Sequence, residues 1–397
     1  MCKCIDNYIL DNGVIFFIGI YPNYGGTEKI TTGLANHFSD LGLNVHIVSF
    51  QQPHLELLSE LNENIVLHKL SYPVLSKNNV SVLKNIIVSN NIHIIFNQWC
   101  LPFQTTLLLN MARKGLSCKL LSILHGVPNK SKKVIVAEDN VKQASNCLTR
   151  AFAQLKLQVI DRTIRESIRY VYKHSDHYVV LSKGFIETFR EYTGLKKTPK
   201  LVSIGNPITI PTNYSVDELT SKKKQILYVG RMDMENKRVN RIIEAWEEVY
   251  KKFPDWNLCL VGDGPHRSAL EAYVNGRNIQ RVYFTGFIKD EPVSYYRESS
   301  ILMLTSDLEG FGLVIVEGMS HGVVPIVYGS YVSVFEVIDH GVNGLITNTP
   351  YSKRVTVECM VSLMEDSAKR EKMAAEAIKK SANYHLESIV RQWYKLF

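Results

Sequence analysis

The chain has 397 residues, with 46 Lys and Arg against 38 Asp and Glu, a formal charge of +8. Hydrophobic residues make up 45% and charged ones 21%, which excludes a disordered or collagen-like chain and fits two or three domains. No apolar run approaches the roughly 18 residues that span a bilayer, and the start, MCKCIDNYIL, lacks the apolar stretch and cleavage site of a signal peptide, so a cytoplasmic chain is expected.

VIFFIGIY (14–21) is a continuous apolar run rich in β-branched and aromatic residues, the mark of a buried strand. A Gly-bearing loop follows, then a helical pattern from about Glu28 to Leu41 and, after Gly42, a second strand, VHIVSF (45–50). NIVLHKL (64–70), IHIIFNQ (92–98), KLLSILHG (119–126), YVVLS (178–182) and PKLVSIGNP (199–207) continue the series. NPITIPTNYSVDELTSKKK (206–224), rich in Pro, polar residues and Lys, reads as a linker. Beyond it the plan repeats, with QILYVGR (225–231), NLCLVGDG (257–264), RVYFTGF (281–287), SILMLTS (300–306) and VVPIVYG (323–329) as strands. Short apolar strands alternating with helices predict parallel sheets covered on both faces. The expected fold is therefore α/β, with two Rossmann-like, doubly wound domains at 1–205 and 206–380 and a helix at 381–397 that packs back on the first. Ligands of such sheets bind beyond the C-terminal strand ends, so the chemistry is expected in a central cleft that the two domains face.

Charge is unevenly spread. Residues 1–205 hold 23 basic and 14 acidic side chains, and 206–397 hold 23 and 24, so the whole excess lies in the first half. The seven cysteines, Cys2, Cys4, Cys100, Cys118, Cys147, Cys259 and Cys359, are scattered, without zinc-ligand spacing, and read as free thiols.

The most informative stretch is SDLEGFGLVIVEGMSHGVVPIV (306–327). Gly310, Phe311 and Gly312 stand between a strand and a helix that starts near Leu313, where glycines admit a ligand to the backbone and helix amides face an anion. Glu309 precedes the loop, and Glu317, eight residues on, can accept two hydrogen bonds from a ribose diol. The same residues would also serve a tight turn bearing two solvated glutamates. In YVGRMDMENKR (228–238), Arg231 leaves a strand end and Lys237 begins the next helix, two cations suited to a diphosphate leaving group. Gly25 and Gly26, after the first strand, offer a turn whose amides can meet a phosphate.

With GGTE, VGR and Lys237, VGDGP (261–265), FTG (284–286), Glu309-GFG to Glu317, and GVNG (341–344) in this order, the chain resembles the retaining glycosyltransferases of family 4, the group 1 glycosyl transferases, along nearly its whole length. That resemblance implies the GT-B architecture and transfer of a sugar from a nucleoside diphosphate sugar, a UDP-sugar expected, without a cofactor or a metal. It implies that Arg231 and Lys237 hold the diphosphate, Glu317 the ribose, and Glu309 the donor sugar. Gly310, Phe311, Gly312 and Leu313 would offer amides, Gly25 and Gly26 would close over the phosphates, and Phe287 and Ile288 would lie against the base. His125, at a strand end, would sit beside the reacting sugar, binding a donor hydroxyl or polarising the acceptor. Glu309, His125, Lys237 and Arg231 are thus the expected catalytic set. Gln98 and Trp99 are candidate acceptor contacts, with core packing an equal use for Trp99, and Ser182 and Asn206 are expected to be structural. One departure is the run Arg238-Val239-Asn240 after Lys237, where the family commonly has a small residue and then an apolar run.

A second departure is 130–173, which is long for its place and holds ten Lys or Arg against four Asp or Glu. Leu155, Val159, Ile160, Ile164 and Ile168 recur at helical spacing among Arg162, Arg165 and Arg169. Such a helix lies on an anionic membrane or packs its apolar face on its own domain. The expected partners are a nucleotide-sugar donor, a glycan or lipid-linked glycan acceptor and, through 130–173, the cytoplasmic membrane face; no nucleic-acid motif appears. A glycosidase using Glu309 and Glu317, or a non-catalytic sugar-nucleotide binder, are the rival readings.

Overall fold

The computed structural model describes residues 12–289 and 291–397; Cys2 and Cys4 lie outside them. Cys100, Cys118, Cys147, Cys259 and Cys359 are free thiols, three of them buried. The chain divides into two units, one running up to Gly205 and including Val390–Phe397, the other Asn206–Ile389.

The first unit is built on a seven-stranded parallel sheet: β1 (Gly13–Phe17), β2 (Asn44–Ser49), β3 (Val66–Lys69), β4 (Ile92–Asn97), β5 (Lys119–Leu124), β6 (His177–Val180) and β7 (Leu201–Ser203). Its order is β3-β2-β1-β4-β5-β6-β7, so the strand order reverses between β1 and β4. Every residue of β1 is buried, as an unbroken apolar run requires. On the sheet, Ile15, Phe17, Ile95, Leu108 and Leu120 form one core cluster, and Tyr178, Val180, Phe185 and Ile168 another. The last residues add an aromatic group: Trp393 meets Phe96 at 5.2 Å, and Phe38 meets Tyr394 at 6.0 Å and Phe397 at 5.8 Å.

The basic segment forms two helices, Lys132–Gln143 and Cys147–His174, the second opened by a capping box between Asn146 and Thr149. Its apolar residues do not share one face. Ile168, Val171 and Tyr172 are buried and Ile164 packs beside them. Leu148, Phe152, Leu155 and Val159, spaced by four, three and four, are 85%, 73%, 59% and 58% exposed. The single face expected from Leu155 to Ile168 therefore splits: the second half of the helix is core, and the first half carries an apolar stripe to the surface.

In the second unit, β8 (Lys223–Val229), β9 (Asn257–Val261), β10 (Val282–Gly286), β11 (Ser299–Leu304), β12 (Val324–Tyr328) and β13 (Leu345–Thr347) form a parallel sheet in the order β10-β9-β8-β11-β12-β13. The order reverses between β8 and β11. The stretch 206–224 is not a free linker. Ile208, Ile210, Tyr214 and Leu219 are buried, Lys223 and Lys224 open β8, and the Lys222 amine donates to the carbonyls of Tyr296 (2.9 Å), Arg297 (3.2 Å) and Ser299 (2.8 Å). Four apolar side chains among the polar ones were enough to pin it. The VGDGP run has a steric cause: a side chain at Gly262 would lie 2.0 Å from the Gly230 carbonyl oxygen, and one at Gly264 2.4 Å from that of Met232. Among the described residues, no helix is long and apolar enough to cross a membrane.

Candidate active site

In doubly wound sheets the crevice opens where the strand order reverses. In the second unit that point lies between β8 and β11, and the loops leaving these two strands carry Arg231, Lys237 and Glu309. After β8 the chain is organised by Asp233, a buried carboxylate. Its Oδ1 accepts from the amides of Asn236 and Lys237, both at 2.8 Å, and its Oδ2 from Arg231 Nε (3.0 Å) and Nη2 (2.7 Å). Burial alone would raise its pKa, but the two amides and the guanidinium outweigh that and hold it below the usual carboxylate range. Tyr228 anchors the same turn by donating to the Arg231 carbonyl at 2.7 Å.

Lys237 Nζ meets Glu309 Oε1 at 2.6 Å across 72 residues of sequence, and both side chains are mostly buried. Glu309 is thus not a solvated turn residue. Gly312 adopts φ 84°, left-handed, directly before the helix Leu313–Ser320. A side chain there would meet Ile315 at 2.9 Å and the Tyr331 hydroxyl at 3.4 Å, so both conformation and space demand glycine. Phe311 is buried against Tyr384, with ring centroids 5.4 Å apart. Glu317, five residues into that helix, is 7% exposed and accepts a hydrogen bond from the Tyr296 hydroxyl at 2.9 Å. A turn with two solvated glutamates is excluded for both carboxylates.

Phe287 and Ile288 follow β10 at the edge of the same sheet, with Phe287 exposed. The departure at Arg238 has a backbone cause. Arg238 takes φ 53°, left-handed, as the cap of the helix Val239–Val249, a position that glycine fills without strain. The apolar run resumes at once, with Val239, Ile242, Ile243 and Trp246 buried.

The first unit holds the remaining candidates. Gly25 caps the helix Gly26–Asp40 in extended conformation, and the Glu28 carboxylate lies where a Gly25 side chain would be, 2.2 Å away, so an acidic group shares that helix start. His125, after β5, bonds through Nε2 to Gln98 Oε1, after β4, while its Nδ1 is buried without a partner. Burial pushes its pKa down to about 4, so the imidazole is neutral near pH 7. Trp99, half-buried, packs on the core beside Phe50, centroids 5.9 Å apart, with its ring 2.9 Å from where a Gly19 side chain would start. Ser182 and Asn206 are buried.

Sequence reasoning missed Asp233 and Tyr296. Asp233 has a local signal, since an aspartate three and four residues before two amides forms an Asx-type turn. Tyr296 has none, because its partner is 21 residues away on another helix.

The chain matches two family models, glycosyltransferase family 4 over residues 24–210 and glycosyl transferases group 1 over residues 212–380. An uncharacterized glycosyltransferase of Haemophilus influenzae is 25% identical over 386 residues, covering 95% of this chain and 98% of that protein. The N-acetyl-alpha-D-glucosaminyl L-malate synthase of Bacillus anthracis is 22% identical over 401 residues and covers 96% of both chains. Among solved structures, Anabaena HepE in complex with UDP and glucose is similar with a TM-score of 0.73 at 17% identity, over 96% of this chain and 98% of that one.

Proposed function

Because the chain belongs to the group 1 glycosyl transferases of family 4, we propose that it moves a hexose from a UDP-sugar to a glycan or lipid-linked glycan acceptor, with retention at the anomeric carbon and without a metal. That it is a glycosyltransferase with the GT-B fold is the premise; donor, acceptor and stereochemistry are the proposal. The observation that carries it is the Lys237–Glu309 pair at the reversal point between β8 and β11. UDP in the HepE complex supports uracil as the base.

In this reading Glu317 accepts the ribose hydroxyls, and Arg231 and Lys237 meet the diphosphate. The C1–O bond to the β-phosphate breaks, and the charge that develops on the leaving oxygen is stabilised by the two cations. The acceptor hydroxyl attacks the same face of C1, and its proton passes to that leaving phosphate oxygen, which gives retention without a protein nucleophile. Glu309 holds a donor-sugar hydroxyl opposite Lys237. His125, neutral with a pKa near 4, serves as a hydrogen-bonding group for a sugar hydroxyl rather than as a base. Transfer in the assembly of a surface polysaccharide fits this chemistry.

The stripe of Leu148, Phe152, Leu155 and Val159 supports docking on the cytoplasmic membrane face. Exposed Arg150, Lys156 and Arg162 stand on the same helix, and the stripe runs into an apolar groove of about 490 Å³ lined by Phe103, Val159, Arg162 and Tyr170. Such a helix binds anionic lipid by apolar burial plus about 1 kcal/mol per cation.

Turnover of UDP-glucose, UDP-galactose and UDP-N-acetylglucosamine, read as UDP release in the presence of EDTA, tests the donor reading. Lys237→Ala and Glu309→Ala should both abolish release while each variant stays folded, as circular dichroism shows, at some cost in melting temperature. Full activity in both variants would show the site to be misassigned.

A further inference from the structure

We infer that Asp307 is a positioning residue for the transfer, holding the loop that presents Lys237 to Glu309 through Arg238 and Arg241. The inference rests on the reading of Lys237 and Glu309 as the donor-site pair. Asp307 lies two residues before Glu309, and Arg238 is the residue after Lys237. Asp307 Oδ2 accepts from Arg238 Nε and its Oδ1 from Arg241 Nη1, each at 2.6 Å, so one carboxylate ties the cap and the first turn of the helix Val239–Val249.

The backbone is tied at the same place. The Asp307 amide donates to the Asn236 carbonyl at 2.8 Å, Asn236 Nδ2 to the Leu308 carbonyl at 3.1 Å, and Thr305 Oγ1 to the Arg238 carbonyl at 3.0 Å. Arg241 also donates to the Thr305 carbonyl at 3.0 Å, and its guanidinium lies 4.4 Å from the Tyr351 ring centroid and 5.1 Å from that of Tyr328, which leaves it little freedom. Both members of the Lys237–Glu309 pair are therefore flanked by residues stitched to each other.

Arg238 supplies a second, independent observation. Its φ of 53° is a conformation that glycine adopts freely and a long side chain does not. A residue held there against its preference points to a use for its side chain, and the Arg238 side chain reaches Asp307 and the Met234 carbonyl, the latter at 2.8 Å. Asp307 is half-buried and Arg241 only 17% exposed, so the pair serves stability as well as placement, and the test must separate the two.

Three variants separate placement from folding. Asp307→Asn should lower kcat for UDP-sugar turnover at least about tenfold, while UDP affinity, measured by calorimetry, falls by less than kcat because Glu317 and Arg231 are untouched. Arg238→Gly should lose kcat likewise yet melt no lower than the parent, since glycine relieves the left-handed strain. Asp307→Glu should recover part of the loss. Parent-like kcat in Asp307→Asn and Arg238→Gly, with Lys237→Ala still inactive, overturns the positioning role and leaves the donor site standing. Loss of kcat only where the melting temperature also collapses overturns it too. Full activity in Lys237→Ala removes the donor-site reading and this inference with it.

Discussion

In the second unit, Arg231, Lys237, Arg238 and Arg241 each meet a carboxylate at 2.6–2.7 Å. On the helix Cys147–His174 of the first unit, Arg150, Lys156 and Arg162 have no carboxylate partner among the described residues, and four large apolar side chains are exposed beside them. The two regions use positive charge differently. Paired cations have little field beyond their partners and act by position, at one atom of a ligand. Unpaired ones sum into a field that reaches about a Debye length, roughly 8 Å at physiological salt, and suits an extended anionic surface. The +8 of the chain thus lies outside the region of the proposed donor site: residues 206–397 carry 23 basic and 24 acidic side chains and hold all four of the placed cations.

Reversing the donor-site pair is the strongest way to break this contrast. A Lys237→Glu, Glu309→Lys double variant keeps an ion pair and the local net charge but moves the cation to the other loop. If position is what matters, UDP-sugar turnover should stay at least about 100-fold below the parent, the scale of losing a preorganised charge stabiliser. Restored turnover in a steady-state UDP-release assay would mean that net charge suffices.

The contrast also explains what was legible in the sequence. The strands were, because burial on both faces leaves runs such as VIFFIGIY without polar interruption, and the positions of Lys237 and Glu309 were, because each follows a strand end. Their contact was not, since no local pattern joins residues 72 apart. The helix after Asn146 was legible as amphipathic, but periodicity says that an apolar face exists and not what covers it. Leu155 and Ile168 fit one stripe on paper and lie on opposite fates in the fold. Ile208, Ile210, Tyr214 and Leu219 were masked by the Pro and Lys around them, and irregular spacing gave no period to find.

The surface field is sharpened next, with effects somewhat smaller. Leu148→Ser with Phe152→Ser removes two exposed apolar side chains, each able to contribute about 1.5–3 kcal/mol on full burial. Binding to vesicles of phosphatidylglycerol and phosphatidylcholine, measured by flotation, should weaken by about 30-fold or more, while UDP affinity is unchanged. Replacing Arg150, Lys156 and Arg162 by Gln should weaken it to a similar or lesser degree, at about 1 kcal/mol per cation, and flatten its salt dependence. Vesicle binding equal to the parent in both variants would place the membrane contact elsewhere.

Smaller again is the effect of Tyr296→Phe, which removes the Tyr296 hydroxyl that donates to Glu317 without changing the ring packed beside His321. A hydrogen bond to a charged group contributes about 1.5–3 kcal/mol, part of which the ribose itself replaces, so UDP should bind roughly tenfold more weakly. The parent's preference for UDP over 2′-deoxy-UDP should shrink in the variant. An unchanged preference, by calorimetry, would mean that Glu317 is held without Tyr296.

Acid should separate the two units more gently. Burial lowers His46 and His125 from 6.5 to about 4, and lowers His68 and His177 as well, all in the first unit; in the second, His321 is the one described histidine so shifted. A histidine whose folded pKa is depressed binds fewer protons in the folded than in the unfolded chain between those two values. Stability from such a group is therefore present above about 6.5 and falls as the pH drops towards 4. Asp233 is a carboxylate held low against its own burial, and its contribution is complete above the ordinary carboxylate pKa and is lost only as the pH falls from there through its depressed value. Between pH 6.5 and 4 the loss should thus fall on β2 and β5, and hydrogen-exchange protection there should decline severalfold more than in β8 and β11. A His46→Asn, His125→Asn chain should show a flatter decline in the first unit, and equal decline in the two units would assign the acid sensitivity to other groups.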